Sequence, residues 1–141
     1  MQYIKKNFKK KINPDLWLEN SKSIISVLYN YYPREKQTPE SVYKVSKYAY
    51  TTDYHIVLKE KLKLLYEYIN QDIENISGRY FVDSTPLIEK KLANLSGLGW
   101  IGKNSILITK KGSFYFIGEI VCDLVLEYDT PMKDYCGDCT I

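Results

Sequence analysis

Residues 96–104 read Ser-Gly-Leu-Gly-Trp-Ile-Gly-Lys-Asn, and what flanks them limits the fold more than any other feature of the chain. Gly97, Gly99 and Gly102 fit the spacing G-x-G-x-x-G, and Gly97 to Lys103 fit G-x-x-x-x-G-K. Either pattern cradles phosphate only where a strand enters the loop and a helix leaves it, because the amides that face the anion belong to the helix N-terminus. Here the order is inverted. Ile88, Leu92 and Leu95 are the predicted buried positions of a helix over 86–95, and strand-like sequence follows at 105–109 and 114–121. The second pattern also wants Ser or Thr after its lysine, where this chain has Asn104. The inversion argues against a doubly wound nucleotide-binding sheet and for an α+β fold, a mainly antiparallel sheet with flanking helices. The turn Lys110-Lys111-Gly112-Ser113 predicts that 105–109 and 114–121 pair as a hairpin. Three glycines within six residues still let a backbone come close to something flat or bulky, with Trp100, Lys103 and Asn104 beside it as apolar face, cation and amide. A plain helix-to-strand connector accounts for the same residues.

The remaining elements follow from periodicity. Leu58, Leu62, Leu65 and Ile69, spaced by four, three and four, predict a helix over 54–70 that Asp53 can cap. The run 23–32 is mostly β-branched or aromatic, closes at Pro33, and predicts a buried strand; Gly78 opens a shorter strand over 79–82. Ile4, Phe8 and Ile12 fall on one face of a short basic helix ended by Pro14, and 33–52 reads as a long irregular segment. Thr85-Pro86 has the form of an N-cap followed by proline at the first helical position.

Composition excludes several classes. With 141 residues, 45% of them apolar, the chain can bury the core of one domain, which argues against disorder. No apolar run approaches the roughly 20 residues that span a bilayer, and the lysine-rich start lacks the apolar stretch of a secretory signal, so a soluble cytoplasmic protein is expected. A net charge of +3 does not by itself require nucleic acid, although Lys5, Lys6, Lys9, Lys10 and Lys11 concentrate the excess at one end. Arg34 and Arg79 are the only arginines, so a bidentate anion site would use one of them or backbone amides.

Four groups of residues could carry chemistry. Asp83 lies between the apolar Tyr80-Phe81-Val82 and the predicted helix, where an acid serves as a cap, a surface charge or, with a raised pKa, a proton donor. His55, the single histidine, stands in Asp53-Tyr54-His55 at a helix start, which favours its neutral form and suits a structural role as well as a site role. Tyr43, Tyr48, Tyr50 and Tyr54 fit packing or stacking on a planar ligand equally. Cys136 and Cys139 form a C-x-x-C compatible with a redox pair, half a zinc site or half a cluster site, whereas Cys122 in its apolar run reads as a small buried hydrophobe.

Taken in order, residues 78–86 (Gly-Arg-Tyr-Phe-Val-Asp-Ser-Thr-Pro), the glycine segment 97–104 and 136–140 (Cys-Gly-Asp-Cys-Thr) resemble epoxyqueuosine reductase, as do Asn30-Tyr31-Tyr32-Pro33 and Tyr48 with Asp53-Tyr54-His55. The resemblance implies a cobalamin- and iron–sulfur-dependent enzyme that converts epoxyqueuosine to queuosine in a tRNA anticodon. It implies Asp83 as the proton donor, and a corrin lined by Gly97, Gly99, Trp100, Gly102, Lys103 and Asn104. Tyr48, Asp53, Tyr54 and His55 would lie near cofactor or substrate, and Cys136 and Cys139 would be cluster ligands. The tRNA loop would offer an exposed base for stacking, with lysines on its phosphates. The family pattern continues as C-x-x-C-x-x-C-x-x-x-C-P, so a third cysteine is expected one residue past Ile141. On this reading 1–135 is a partial cobalamin-binding reductase domain and 136–141 the start of a 4Fe-4S segment, a fragment expected to lack turnover alone. The electron donor is not legible. Two other readings compete: a reductive dehalogenase-like cobalamin enzyme, and a non-catalytic RNA-binding domain.

Overall fold

The computed structural model describes residues 13, 16–34, 38, 43–50, 52–83 and 87–138. The basic helix expected before Pro14, the Thr85-Pro86 cap and Cys139 lie outside them. The apolar run forms β1 (Ser23–Asn30), ending two residues before the predicted limit. In the irregular segment that follows, the described residues include a 3-10 turn, Lys47–Ala49. Helix α1 spans Tyr54–Tyr68 and continues as a π turn over Ile69–Ile73. Then come β2 (Gly78–Phe81), α2 (Glu89–Leu95), β3 (Trp100–Ile101), β4 (Leu107–Ile108) and β5 (Tyr115–Cys122). The fold is α+β with antiparallel pairing throughout, as expected. The main sheet has the order β1-β5-β2, so the last strand is the central one.

Alternation along β5 assigns its two faces. Phe116, Gly118, Ile120 and Cys122 turn toward α1, whose stripe buries Leu58, Leu62 and Ile69. Each leucine removed from water there contributes roughly 1.5–3 kcal/mol. Gly118 is what lets the helix come so close: a Cβ at this position would lie 2.9 Å from Leu62 Cδ1. Cys122 is buried in this layer, as its apolar surroundings implied. Tyr66 and Asn70 bind the helix exit to β2, with Tyr66 Oη donating to the Ile76 carbonyl at 3.0 Å and the Ile76 N–H donating to Asn70 Oδ1 at 2.9 Å. The opposite face of the sheet receives α2, which packs against β1 and β5.

Two expectations are corrected. The hairpin does not form. Strand β4 pairs with β3, inside what the sequence suggested was only a turn, while β5 crosses to the main sheet, and the connection keeps one bridge, Thr109 to Gly112. The longer apolar partner wins, because β5 gains β1 along its whole length and β2 along half of it by leaving. Helix α2 starts at Glu89 rather than Pro86, so Ile88 stands outside it with non-helical backbone and is 40% exposed; Leu95 is 42% exposed, and Ala93 takes the inward position.

The glycine segment is explained by backbone needs. Gly97 ends α2 in the left-handed conformation (φ 71°), its N–H donating to the Asn94 carbonyl and that of Leu98 to the Ala93 carbonyl. Gly99 is buried where a Cβ would stand 2.5 Å from the Ile108 carbonyl oxygen, and at Gly102 it would meet Ile108 Cδ1 at 2.6 Å. The bulky object approached at these two positions is β4 itself. Gly99→Ala is therefore expected to destabilise by about 1–3 kcal/mol through overpacking. Urea unfolding followed by the near-UV aromatic signal checks this; an unchanged midpoint would mean that the β3–β4 pair yields without cost.

Candidate functional site

Asp53 places the site. Its backbone is non-helical, and Oδ1 accepts the His55 N–H at 2.9 Å, which fixes the first turn of α1. The same oxygen lies 2.8 Å from His55 Nδ1. With Nδ1–H donated to Asp53, the ring turns Nε2 toward Asp83, 3.9 Å from Oδ2. Hydrogen bonding to His55 holds the Asp53 carboxyl below its ordinary range, the backbone bond first.

Tyr54 reaches the same carboxylate from the next position, its Oη donating to Asp83 Oδ2 at 2.6 Å. Its ring is fixed on both sides, 3.9 Å from Phe116 and nearly parallel, and 4.0 Å from His55. Burial first, and then the Asp83 carboxyl, push the phenol well above its ordinary value, so it remains a donor. Asp83 completes the group from the end of β2. Its φ of 47° is left-handed, a conformation that aspartate tolerates better than most residues, and its side chain is 60% exposed. Its N–H donates to Glu89 Oε1 at 2.9 Å. The shielding that a proton donor needs is thus not supplied by the described residues around Asp83.

The first turn of α2 links Asp83 to the glycine bend: beside Glu89, Lys90 Nζ donates to the Ser105 carbonyl at 2.6 Å. In the bend, Asn104 Oδ1 accepts the Ile106 N–H at 3.1 Å. The Trp100 ring lies 5.2 Å from that of Tyr135, and its buried Nε1–H has no partner among the described residues. Asp53, Tyr54, His55 and Asp83 therefore form one cluster and the bend a second, joined through Glu89 and Lys90. Tyr48, in the 3-10 turn, is exposed, and no described contact ties it to either. Cys136 is half-buried one residue after Tyr135. Among the described residues no three His, Cys, Asp or Glu side chains could together hold a metal ion.

Three residues that the sequence did not single out belong here: Phe116, Glu89 and Glu119. Glu119 is fully buried (0% exposed), neither carboxyl oxygen has a partner among the described residues, and burial, then the charge of Glu89, push it up to about 8. Glu89 is raised to about 7 by burial and then by Asp83. Glu89 ionises first, and its charge then opposes the ionisation of Glu119. A signal existed in the sequence, since Glu119 is the only charged residue in Tyr115–Cys122.

A family model described as epoxyqueuosine reductase QueG, DUF1730 matches residues 11–84. The epoxyqueuosine reductase of Cellulophaga algicola is 53% identical over 141 residues, covering 99% of this chain and 46% of that protein. The structure of epoxyqueuosine reductase from Streptococcus thermophilus superposes with a TM-score of 0.86 at 31% identity, covering 99% of this chain and 44% of the other. A crystal structure of epoxyqueuosine reductase with an epoxyqueuosine-modified tRNA-Tyr stem loop gives 0.86 at 31% identity over 94% of this chain and 36% of that one. The chain thus spans less than half the length of the curated relatives it matches.

The two raised carboxyls set a pH dependence of stability. Both have folded pKa values above the ordinary 4.5, so between about pH 4.5 and 8 the folded chain binds more protons than the unfolded one, and stability falls as pH rises. Every tenfold difference in proton affinity between the folded and unfolded chain corresponds to ~1.4 kcal/mol. Urea unfolding between pH 5 and 9 is expected to show this decline, and Glu119→Gln should remove the part above about pH 7 and make the remaining fall about half as steep. A wild-type stability that is flat or rising over this window would contradict the assignment.

Proposed function

The chain belongs to the epoxyqueuosine reductase family, and on that premise we propose that Asp83 protonates the oxygen leaving the epoxide when epoxyqueuosine in tRNA is reduced to queuosine. The observation that carries this reading is the single carboxyl oxygen, Asp83 Oδ2, held by Tyr54 at 2.6 Å and faced by His55 Nε2 at 3.9 Å. Tyr54 fixes the carboxyl, and no described residue donates to Oδ1, which leaves that atom for the substrate. His55, tethered to Asp53, turns a ring nitrogen toward the carboxyl. A ligand covering Asp83 would supply the shielding that the described residues do not, and so favour the protonated acid.

The residues present suit a planar, amide-rimmed corrin in two respects: the buried Trp100 indole N–H has no partner among the described residues, and the carboxyl at the far end of the Glu89–Lys90 link is open. Trp100, Lys103 and Asn104, with the backbone at Gly97, would hold the cobalamin, whereas Gly99 and Gly102 act by letting β4 approach. Bound there, cobalamin would supply a low-valent cobalt able to give electrons to the substrate. The described residues do not fit a four-iron cluster, which needs four thiolates: Cys136 is one, and Cys122 is committed to the sheet interior with its Sγ 3.8 Å from the Ser23 carbonyl.

The substrate partner is a tRNA anticodon loop, a reading supported by the related structure with a modified stem loop. Exposed Tyr48 and the lysine excess suit a splayed base and its phosphates. No described helix is long and apolar enough to cross a membrane, and a cytoplasmic location fits a tRNA substrate.

In the full-length enzyme, Asp83→Asn is expected to lower epoxide reduction at least 100-fold, the usual scale of general-acid catalysis, while tRNA binding and the corrin absorption shift are retained. Tyr54→Phe should cost about tenfold, through loss of one hydrogen bond to a charged group. Quantifying queuosine in digested tRNA decides it: an Asp83→Asn enzyme that keeps more than about a third of the rate, far above the loss that general-acid catalysis entails, would remove Asp83 from the reaction.

A further inference from the structure

Behind Asp83 lie two carboxyls with no role in the chemistry above. Glu119 occupies the middle of β5, wholly buried, with both Oε1 and Oε2 unpartnered among the described residues. Strand alternation turns it away from α1 and toward α2. Across from it on β1 is Ser26, whose Oγ is also buried and unpartnered among them. Glu89, the first residue of α2, stands next to the site: its Oε1 accepts the Asp83 N–H at 2.9 Å, and its charge is felt by Glu119. The other charged groups facing the pair among the described residues are Asp83, from the β2–α2 connection, and Lys90 on α2, whose Nζ is occupied by the Ser105 carbonyl. Strands β1 and β2 place Ser26 and Phe81 opposite Glu119, and neither is charged.

An unpaired carboxylate is far costlier to bury than a neutral carboxylic acid, so Glu119 is a stored proton. The proposed reaction needs such a store. Removing an epoxide oxygen as water consumes two electrons and two protons, and Asp83 carries one proton. We propose that Glu89 and Glu119 form an internal proton reserve that reloads Asp83 within one turnover. After Asp83 has protonated the oxygen, Glu89 gives its proton to the Asp83 carboxylate and receives that of Glu119. A second transfer from Asp83 completes the water molecule, and Asp83 and Glu119 then each regain a proton from solvent. The electrons are those of the reductase reaction; no carboxyl is oxidised or reduced. The ordering of the two acids, near 7 at Glu89 and near 8 at Glu119, keeps the inner one loaded at neutral pH.

This inference rests on the reading of Asp83 as the proton donor, and the test separates the two. In the full-length holoenzyme, the pH dependence of single-turnover queuosine formation is compared for wild type, Glu119→Gln, Glu89→Gln and Asp83→Asn. Relative to its own rate near pH 6, where solvent supplies protons, each glutamine variant is expected to lose at least about tenfold more than wild type does by about pH 7.5, where Glu119 is still largely protonated, with substrate KM unchanged. Infrared titration of the wild-type protein, which needs no variant to fold, should show a protonated buried carboxyl persisting above pH 7. Loss of activity in Asp83→Asn with profiles in the glutamine variants that superimpose on wild type would overturn the reserve alone. Full activity in Asp83→Asn would overturn both readings, and a buried carboxyl already ionised at pH 7 would overturn the reserve whatever the kinetics.

Discussion

The close approach of α1 to β5 is the contact on which the rest depends. With no side chain at Gly118, Leu62 and Leu58 press onto the strand, and the helix axis is set by that contact rather than by its exposed face. Two turns back toward the N-terminus, Tyr54 then lies flat on Phe116, two residues before Gly118 on the same face of β5. The stacked ring carries its hydroxyl to the end of β2, which pairs with the other edge of β5. Packing in the core and placement of a polar atom in the site are thus one geometric event. A helix standing farther from the strand would separate Tyr54 from Asp83.

Strand β5 serves both faces differently. Toward α1 it offers Phe116, Gly118, Ile120 and Cys122, which make an apolar layer; toward α2 it offers Glu119 in a place where water does not reach. A residue that costs stability as the pH rises is an unusual occupant for the centre of a sheet. Its neighbours Glu89 and Asp83 form a gradient of exposure from interior to surface, which a purely structural sheet has no need of.

Much of this was legible from local pattern. The leucine spacing located α1 and Asp53 its cap, the aromatic and β-branched run located β1, and helix-before-bend with strand-after excluded a phosphate loop. Local pattern failed where two partners competed. Residues 105–109 and 114–121 are joined by a good turn, yet β5 gains more by pairing with β1 and β2, strands about 90 and 40 residues away in sequence, than with its neighbour. The glycine spacing signals backbone freedom, but the object that Gly99 and Gly102 admit is β4. Glu89 and Glu119 were passed over because an acid's burial is a property of what surrounds it.

The sequence by itself determined the α+β class, the cap and stripe of α1, and, through three ordered motifs, the family with Asp83, Tyr54 and His55 as its candidate residues. These depend on side-chain chemistry and on periods of two and 3.6 residues, which the chain carries within a few turns of any point. Only the tertiary structure decided that β5 is central, that one oxygen of Asp83 is held by Tyr54 and faced by His55, and that two further carboxyls stand behind it. Those facts are distances between residues about 30 to 100 positions apart, and a distance of that kind exists only once the apolar layers have closed and fixed which faces meet.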